Sequence, residues 1–179
     1  MSEEPLRIDL ADPGPHTGLT RAKLADRCEV AAVVLESLHP ANSPAVPACI
    51  ERADIKRVAR ILWARPDQQQ RDANANRLKA SEEGAEGVAF ATVWRTDKYR
   101  VKMRAYHGSG ADWLLQKEGA ADEDFVRLEV SGIVGEAHPG SRLREKVEEL
   151  REGLLRRPGI ALVVVFSETP VRVLMEDVP

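Results

Sequence analysis

The chain is predicted to fold as an α/β protein, a mixed sheet flanked by helices, and three features of the sequence carry that prediction. A proline-free, alanine-rich stretch from Asp67 to Trp94 favours a long helix. Three strand-like segments follow within residues 99–133, separated by glycine-bearing or polar turns. A helical stripe over residues 141–157 then gives way to the continuous apolar run Ile160 to Phe166, the pattern of a strand buried on both faces. The order is αβββαβ. A helical crossover between the third and fourth strands requires those two to lie parallel in one sheet.

The elements can be justified in turn. Residues 1–20 carry Pro5, Pro13 and Pro15 with little periodicity, and read as a loose arm. From Arg21 to Ser37, Leu24, Cys28, Ala32 and Leu35 recur at helical spacing, although Val30 to Leu35 could also serve as a strand. His39 to Pro44 breaks any regular element. A second helix is expected from about Ala48 to Ala64, with Ile50, Val58, Ile61 and Leu62 apolar, stopping before Pro66. Residues 1–77 are thus expected to be an arm and a helical extension packed on a core domain at 78–179, because about 45 residues bury too little apolar surface to stand alone.

In the long helix, Ala80, Gly84, Gly87 and Ala91 leave one side nearly bare, which suggests close packing of the backbone against a sheet. In Tyr99 to Tyr106, Val101, Met103 and Ala105 alternate with Arg100, Lys102 and Arg104, as in a half-buried strand. His107 to Gly110 turns the chain into a strand over Ala111 to Gln116. Lys117 to Asp124 is a polar loop, and Phe125 to Ile133 is the third strand. Ser141 caps a helix whose stripe is Leu143, Val147, Leu150 and Leu154 and which ends at Pro158-Gly159. Val171 to Met175 makes a last edge strand.

Composition removes several function classes. A formal net charge of −3 carries no global basic field, so any nucleic-acid contact must come from a local patch. The longest apolar run is too short to cross a bilayer, and no membrane partner is expected. The acidic N-terminus is unlike a secretory signal, which points to a cytoplasmic protein. Cys28 and Cys49 read as buried small hydrophobes, and His16, His39, His107 and His138 are too scattered for a zinc site. Neither a phosphate-cradling glycine loop nor a serine nucleophile elbow is present.

The string Gly108-Ser109-Gly110-Ala111-Asp112-Trp113, followed by Arg127-Leu128-Glu129-Val130-Ser131-Gly132, resembles the PD-(D/E)XK, or restriction-endonuclease-like, nuclease superfamily. The resemblance covers roughly residues 78–179 and includes the αβββαβ order. It implies a Mg²⁺ or Mn²⁺ site built from Asp112, Glu129 and Val130, with Glu86 or Glu83 from the first helix. It further implies hydrolysis of phosphodiesters in DNA, with RNA as the alternative substrate, in defence against foreign genetic elements.

The spacing has its own physical logic. Glu129 and Ser131 point to one face of a strand while Leu128 and Val130 face the other. An Asp from the neighbouring strand can then join Glu129 around a hard cation. Where the family has lysine, however, this chain has Ser131, which could merely donate a hydrogen bond to Glu129. Loss of such a group costs on the order of 10²–10⁴-fold. Lys79, on the helix face that carries Glu83, is the first candidate to replace it and Lys102 the second. Arg100, Lys102 and Arg104 would form a phosphate-tracking stripe on one strand face. The alternative is a catalytically inactive nuclease-fold subunit that binds nucleic acid or assembles a complex, as a homodimer or something larger.

Overall fold

The computed structural model describes residues 4–15, 21–121, 123–135 and 138–179; His16 and parts of the expected N-terminal arm lie outside them. The elements are β1 (Leu6–Asp9), α1 (Arg21–Leu38), β2 (Ala45–Arg52), β3 (Ile55–Leu62), α2 (Gln68–Ala73), α3 (Arg77–Asp97), β4 (Tyr99–Arg104), β5 (Trp113–Lys117), β6 (Val126–Ile133), α4 (Pro139–Glu152), β7 (Gly159–Val165) and β8 (Val171–Val178). All eight strands form one mixed sheet in the order β1-β3-β2-β8-β7-β6-β5-β4. The α/β class and the αβββαβ order of α3 to β7 are as expected, including the parallel pairing of β6 with β7. No helix among the described residues is long and apolar enough to cross a membrane.

The helical extension is not observed. Residues 48–64, expected as a helix, form the antiparallel hairpin β2–β3, closed at Ala53 with φ 50°. Ile50 and Ile61 enter the core, but Val58 is 66% exposed, because the apolar period here is two and not 3.6. Part of the supposed loose arm is β1, which adds to β3 in parallel. β2 pairs in parallel with β8, so β8 is an interior strand and not the expected edge. Both chain segments therefore share one sheet.

The two faces of the sheet are covered differently. On one, Leu128, Val130, Leu162, Val164, Val173 and Met175 meet α1 and α3 in the main core cluster. On the other, Ile133, Val163, Val165 and Leu174 pack with Leu143, and Ala161 and Val178 with Val147 and Leu150 of α4. The proline-free stretch splits into two helices because Asp67 and Asn76 each cap a new start, their side chains accepting from the Gln70 and Lys79 amides. Similarly, α4 starts earlier than expected. His138 is its N-cap and Pro139 lies in its first turn, so Ser141 is inside the helix. It also ends five residues sooner, and Leu154 is 79% exposed instead of completing the stripe.

The bare face of α3 packs on a helix and not on the sheet. A Cβ at Gly87 would stand 2.4 Å from the Arg27 carbonyl oxygen of α1, and one at Gly84 would stand 3.0 Å from Ala31 Cα. The sheet contact lies beside it, where a Cβ at Gly132 would be 2.0 Å from the Ser81 carbonyl oxygen. Gly87→Ala is therefore expected to destabilise by about 1–3 kcal/mol through overpacking, although alanine is the better helix former. Urea unfolding, with Gly140→Ala as a control whose Cβ meets nothing within 4 Å, checks this. Equal stability of Gly87→Ala and wild type would refute the close helix contact.

Candidate functional site

The site begins where β5 leaves β6. The two strands pair only from Trp113↔Leu128 to Leu115↔Val126, whereas β6 continues along β7 to Ile133. Asp112 stands in the resulting fork. Its N–H donates to the Leu128 carbonyl (3.0 Å), and its Oδ2 accepts from the Val130 N–H (3.1 Å), the donor that a longer β5 would have used. One carboxylate oxygen thus replaces a ladder partner, while Asp112 lines cavities on both sides of the fork.

Two glycines hold the preceding turn in place. Gly108 (φ +83°) and Gly110 (φ +72°) adopt left-handed conformations, and a Cβ at Gly110 would lie 2.2 Å from the Glu149 carbonyl oxygen. The turn is therefore pressed against the end of α4. The buried guanidinium of Arg127 braces the same region, donating to the carbonyls of Leu150 (2.5 Å), Arg157 (2.8 Å) and Ser109 (3.4 Å). A cation on the last carbonyls of α4 also matches the negative end of its dipole.

Glu129 and Ser131 point to the α4 face, as strand alternation requires. There α4 supplies the cations. Lys146 Nζ donates to Glu129 Oε1 at 2.7 Å and to Glu149 Oε2 at 2.8 Å. One turn earlier, Arg142 Nε donates to Ser131 Oγ at 2.8 Å, and its Nη1 reaches Glu145 at 2.9 Å. Ser131 thus accepts from Arg142 and, among the described residues, makes no bond to Glu129.

Across the fork, Trp113 Nε1 donates to Glu86 Oε1 of α3 at 3.0 Å. Arg27 Nε stands 2.7 Å from Glu86 Oε2, yet neither atom has an aligned hydrogen-bond partner. Glu83 pairs with Arg27 at 3.3 Å. Both glutamates line a cavity of about 290 Å³ together with Arg104, Asp112, Val130, Ser131, Arg142 and Lys146. A second cavity, of about 610 Å³, shares Arg104 and Asp112 with it and adds His107, the Gly108–Gly110 turn, Glu129, Glu149 and Glu152.

The carboxylates compete for positive charge. Burial pushes the Glu129 carboxyl well above its usual range; its bond to Glu149 and the charge of Asp112 add to this, and Lys146 opposes it only in part. Burial likewise raises Glu86, despite Arg27 and the Trp113 bond. Lys146 is raised because its bonds to Glu129 and Glu149 outweigh the cost of its burial. With Lys146 and Arg27 already in place, Glu129 and Glu86 still resist ionisation. Two buried carboxyls that resist ionisation beside their cations could take a further hard cation, although Glu86 Oε2 already pairs with Arg27. Among the described residues no group of three or more His, Cys, Asp or Glu side chains is gathered to hold a metal by itself. A cation would therefore rest on the Asp112–Glu129 pair, with main-chain and water oxygens completing its shell.

Asp112, Glu129, Val130, Ser131, Glu83 and Glu86 thus meet around two adjoining cavities. Lys79 does not: its side chain is 71% exposed and lies 3.9 Å from Glu83 on the outside of α3. Lys102 lines neither cavity. The basic stripe is broken by a bulge between Val101 and Met103, so that Arg100 pairs with Gln116 but Arg104 with Trp113, on the opposite face. Only Arg104 of the three reaches the site, its guanidinium 5.1 Å from the Trp113 ring centre. Sequence reasoning missed Lys146, Arg142 and Glu149. Their signal was present: positions 142, 146 and 149 each flank the apolar stripe at 143, 147 and 150. Set against protein-family models, curated proteins and solved structures, the chain matches none.

Proposed function

We propose that the protein is a metal-dependent phosphodiesterase acting on DNA, built on a restriction-endonuclease-like core. The observation that carries this reading is Lys146, which brings an ammonium to Glu129 from α4 where Ser131 has removed it from the strand. Asp112 and Glu129 would hold Mg²⁺ or Mn²⁺, helped by the main chain of Val130 and by Glu86. When bound, such an ion acidifies a coordinated water and neutralises charge on the phosphodiester. The chain's own residues do the rest. Lys146 spends two of its three N–H donors on Glu129 and Glu149, leaving one to orient a water or a phosphate oxygen. The Val130 amide holds the Asp112 carboxylate in the fork.

A second reading, an inactive subunit that keeps the fold, has one specific support. Lys146 closes directly onto Glu129, so an internal cation already partly meets the need that a metal would meet. Thermal shift during Mn²⁺ and Mg²⁺ titration, on wild type and Asp112→Ala, separates the two. The pH dependence follows from Glu129, whose carboxyl is raised in the folded protein. The stability gained from that shift is complete below the ordinary carboxylate range and is lost as pH rises through the raised value. A metal must displace the same proton, so its apparent affinity should rise up to about tenfold per pH unit while Glu129 titrates. Wild type should gain Tm on adding Mn²⁺, more at pH 8.5 than at pH 6, and Asp112→Ala should not. No response to either ion at either pH, together with intact DNA, would leave the inactive-subunit reading.

A further inference from the structure

Two arginines that play no part in holding a metal face the smaller cavity from opposite walls. Arg104, on β4, lies over Trp113, and no carboxylate among the described residues is within ion-pair distance of it. The residue is exposed, so a guanidinium resting near the indole can still meet an anion. Arg142, on α4, is anchored at Nε by buried Ser131 and at Nη1 by Glu145, which leaves Nη2 to the cavity. The remaining cations in this wall are engaged: Arg27 with Glu83 and Glu86, Lys146 with Glu129 and Glu149.

We propose that the smaller cavity is a subsite for a single backbone phosphate, gripped by Arg104 and Arg142, with Ser131 as the residue that positions Arg142. This rests on the nucleic-acid reading of the same site, though not on its catalysis. The cavity, about 290 Å³, admits a phosphate and its sugar and is too small for a duplex. The adjoining cavity sets Asp112, Glu129, Glu149 and Glu152 against Arg104 alone, whereas the smaller one balances Glu82, Glu83, Glu86 and Asp112 with Arg27, Arg104, Arg142 and Lys146, so phosphate is favoured on the smaller side. Ser131 thereby acquires a use: a lysine at that position would meet the guanidinium that the serine hydroxyl now accepts from.

The test is equilibrium binding of a fluorescein-labelled single-stranded DNA by the full chain, in Ca²⁺ to suppress turnover, over a range of salt concentrations. Arg104→Ala and Arg142→Ala should each weaken binding about tenfold and lower the salt slope by about 1. Ser131→Ala should weaken it by about threefold to tenfold, and Ser131→Thr, which keeps the hydroxyl, should restore it. Arg144→Ala, whose side chain bonds Gly140 and Ser141 on α4, should leave affinity unchanged apart from a general charge effect. Both arginine sites are at least one-third exposed, so folding should survive, as thermal unfolding will verify. Unaltered affinity and slope in both arginine variants overturns the subsite, even if wild type cleaves DNA. The predicted losses uphold it, even if wild type cleaves nothing and the catalytic reading falls. Absence of any DNA binding by wild type overturns it outright.

Discussion

If the protein is the metal-dependent phosphodiesterase proposed above, replacing Lys146 with methionine is expected to lower its cleavage by roughly 10²–10⁴-fold, the usual cost of losing a positioned catalytic group. Methionine retains the stem that packs along α4 but removes the ammonium that meets Glu129 at 2.7 Å and Glu149 at 2.8 Å. Two carboxylates would then face each other without their shared cation. Burial and Asp112 already raise Glu129, and without Lys146 it should take up a proton more readily still. Metal binding should consequently weaken at neutral pH and recover at higher pH, while the cleavage defect persists there. That separation distinguishes loss of the ammonium from loss of the ion. Lys79→Ala, on the outside of α3, should remain within twofold of wild type. A Lys146→Met variant with the same turnover as wild type at saturating Mn²⁺ would remove Lys146 from the proposed chemistry.

Arg127→Leu is expected to be the most damaging single change to stability, costing at least about 3 kcal/mol. The guanidinium is buried and donates to three carbonyls, and hydrogen bonds to charged groups contribute about 1.5–3 kcal/mol each. Leucine would leave those oxygens buried without donors at the end of α4, beside the turn that Gly110 packs against it. For a chain of this size the loss corresponds to a fall in Tm of about 6 °C or more. Arg127→Lys should recover only part of it, because a single ammonium cannot span the Leu150, Ser109 and Arg157 carbonyls. A urea-derived loss below about 1 kcal/mol for Arg127→Leu would show that the carbonyls find water instead.

The legible part of the fold was the part whose order is set by local chemistry. Alternating Leu128-Glu129-Val130-Ser131, the apolar run of β7 and the glycine turn before Asp112 each state their conformation within a few residues. The β2–β3 hairpin was illegible for a physical reason. Its alanines, arginines and leucine suit a helix, and its extended state is secured by β8 and β1, which lie far away in sequence. The site followed the same division. Asp112 and Glu129 could be read from the turn and the strand, which are local. Lys146 could not, because its place beside Glu129 depends on how α4 crosses the sheet; local spacing pointed to Lys79 and then Lys102, and Lys146 was not among the candidates. The bulge at Val101/Met103 is a further instance: one extra residue transfers Arg104 to the other face, and nothing in the alternation of Arg100, Lys102 and Arg104 announces it.

The parallel pairing of β2 with β8 bears on how the chain is made. Ala48 pairs with Val171, so the hairpin emerges from the ribosome well over a hundred residues before the strand that covers its flank. During that interval β2 offers an uncapped row of main-chain donors and acceptors, backed by Val46 and Ile50, which are destined for the core. At roughly 5–20 residues per second the wait lasts many seconds, long enough for a neighbouring nascent chain to pair in place of β8. Nonlocal closure of this kind also slows refolding. Slower translation of the last third of the message would lengthen the exposure, and yield in the soluble fraction should depend on it more steeply than on any change within α4.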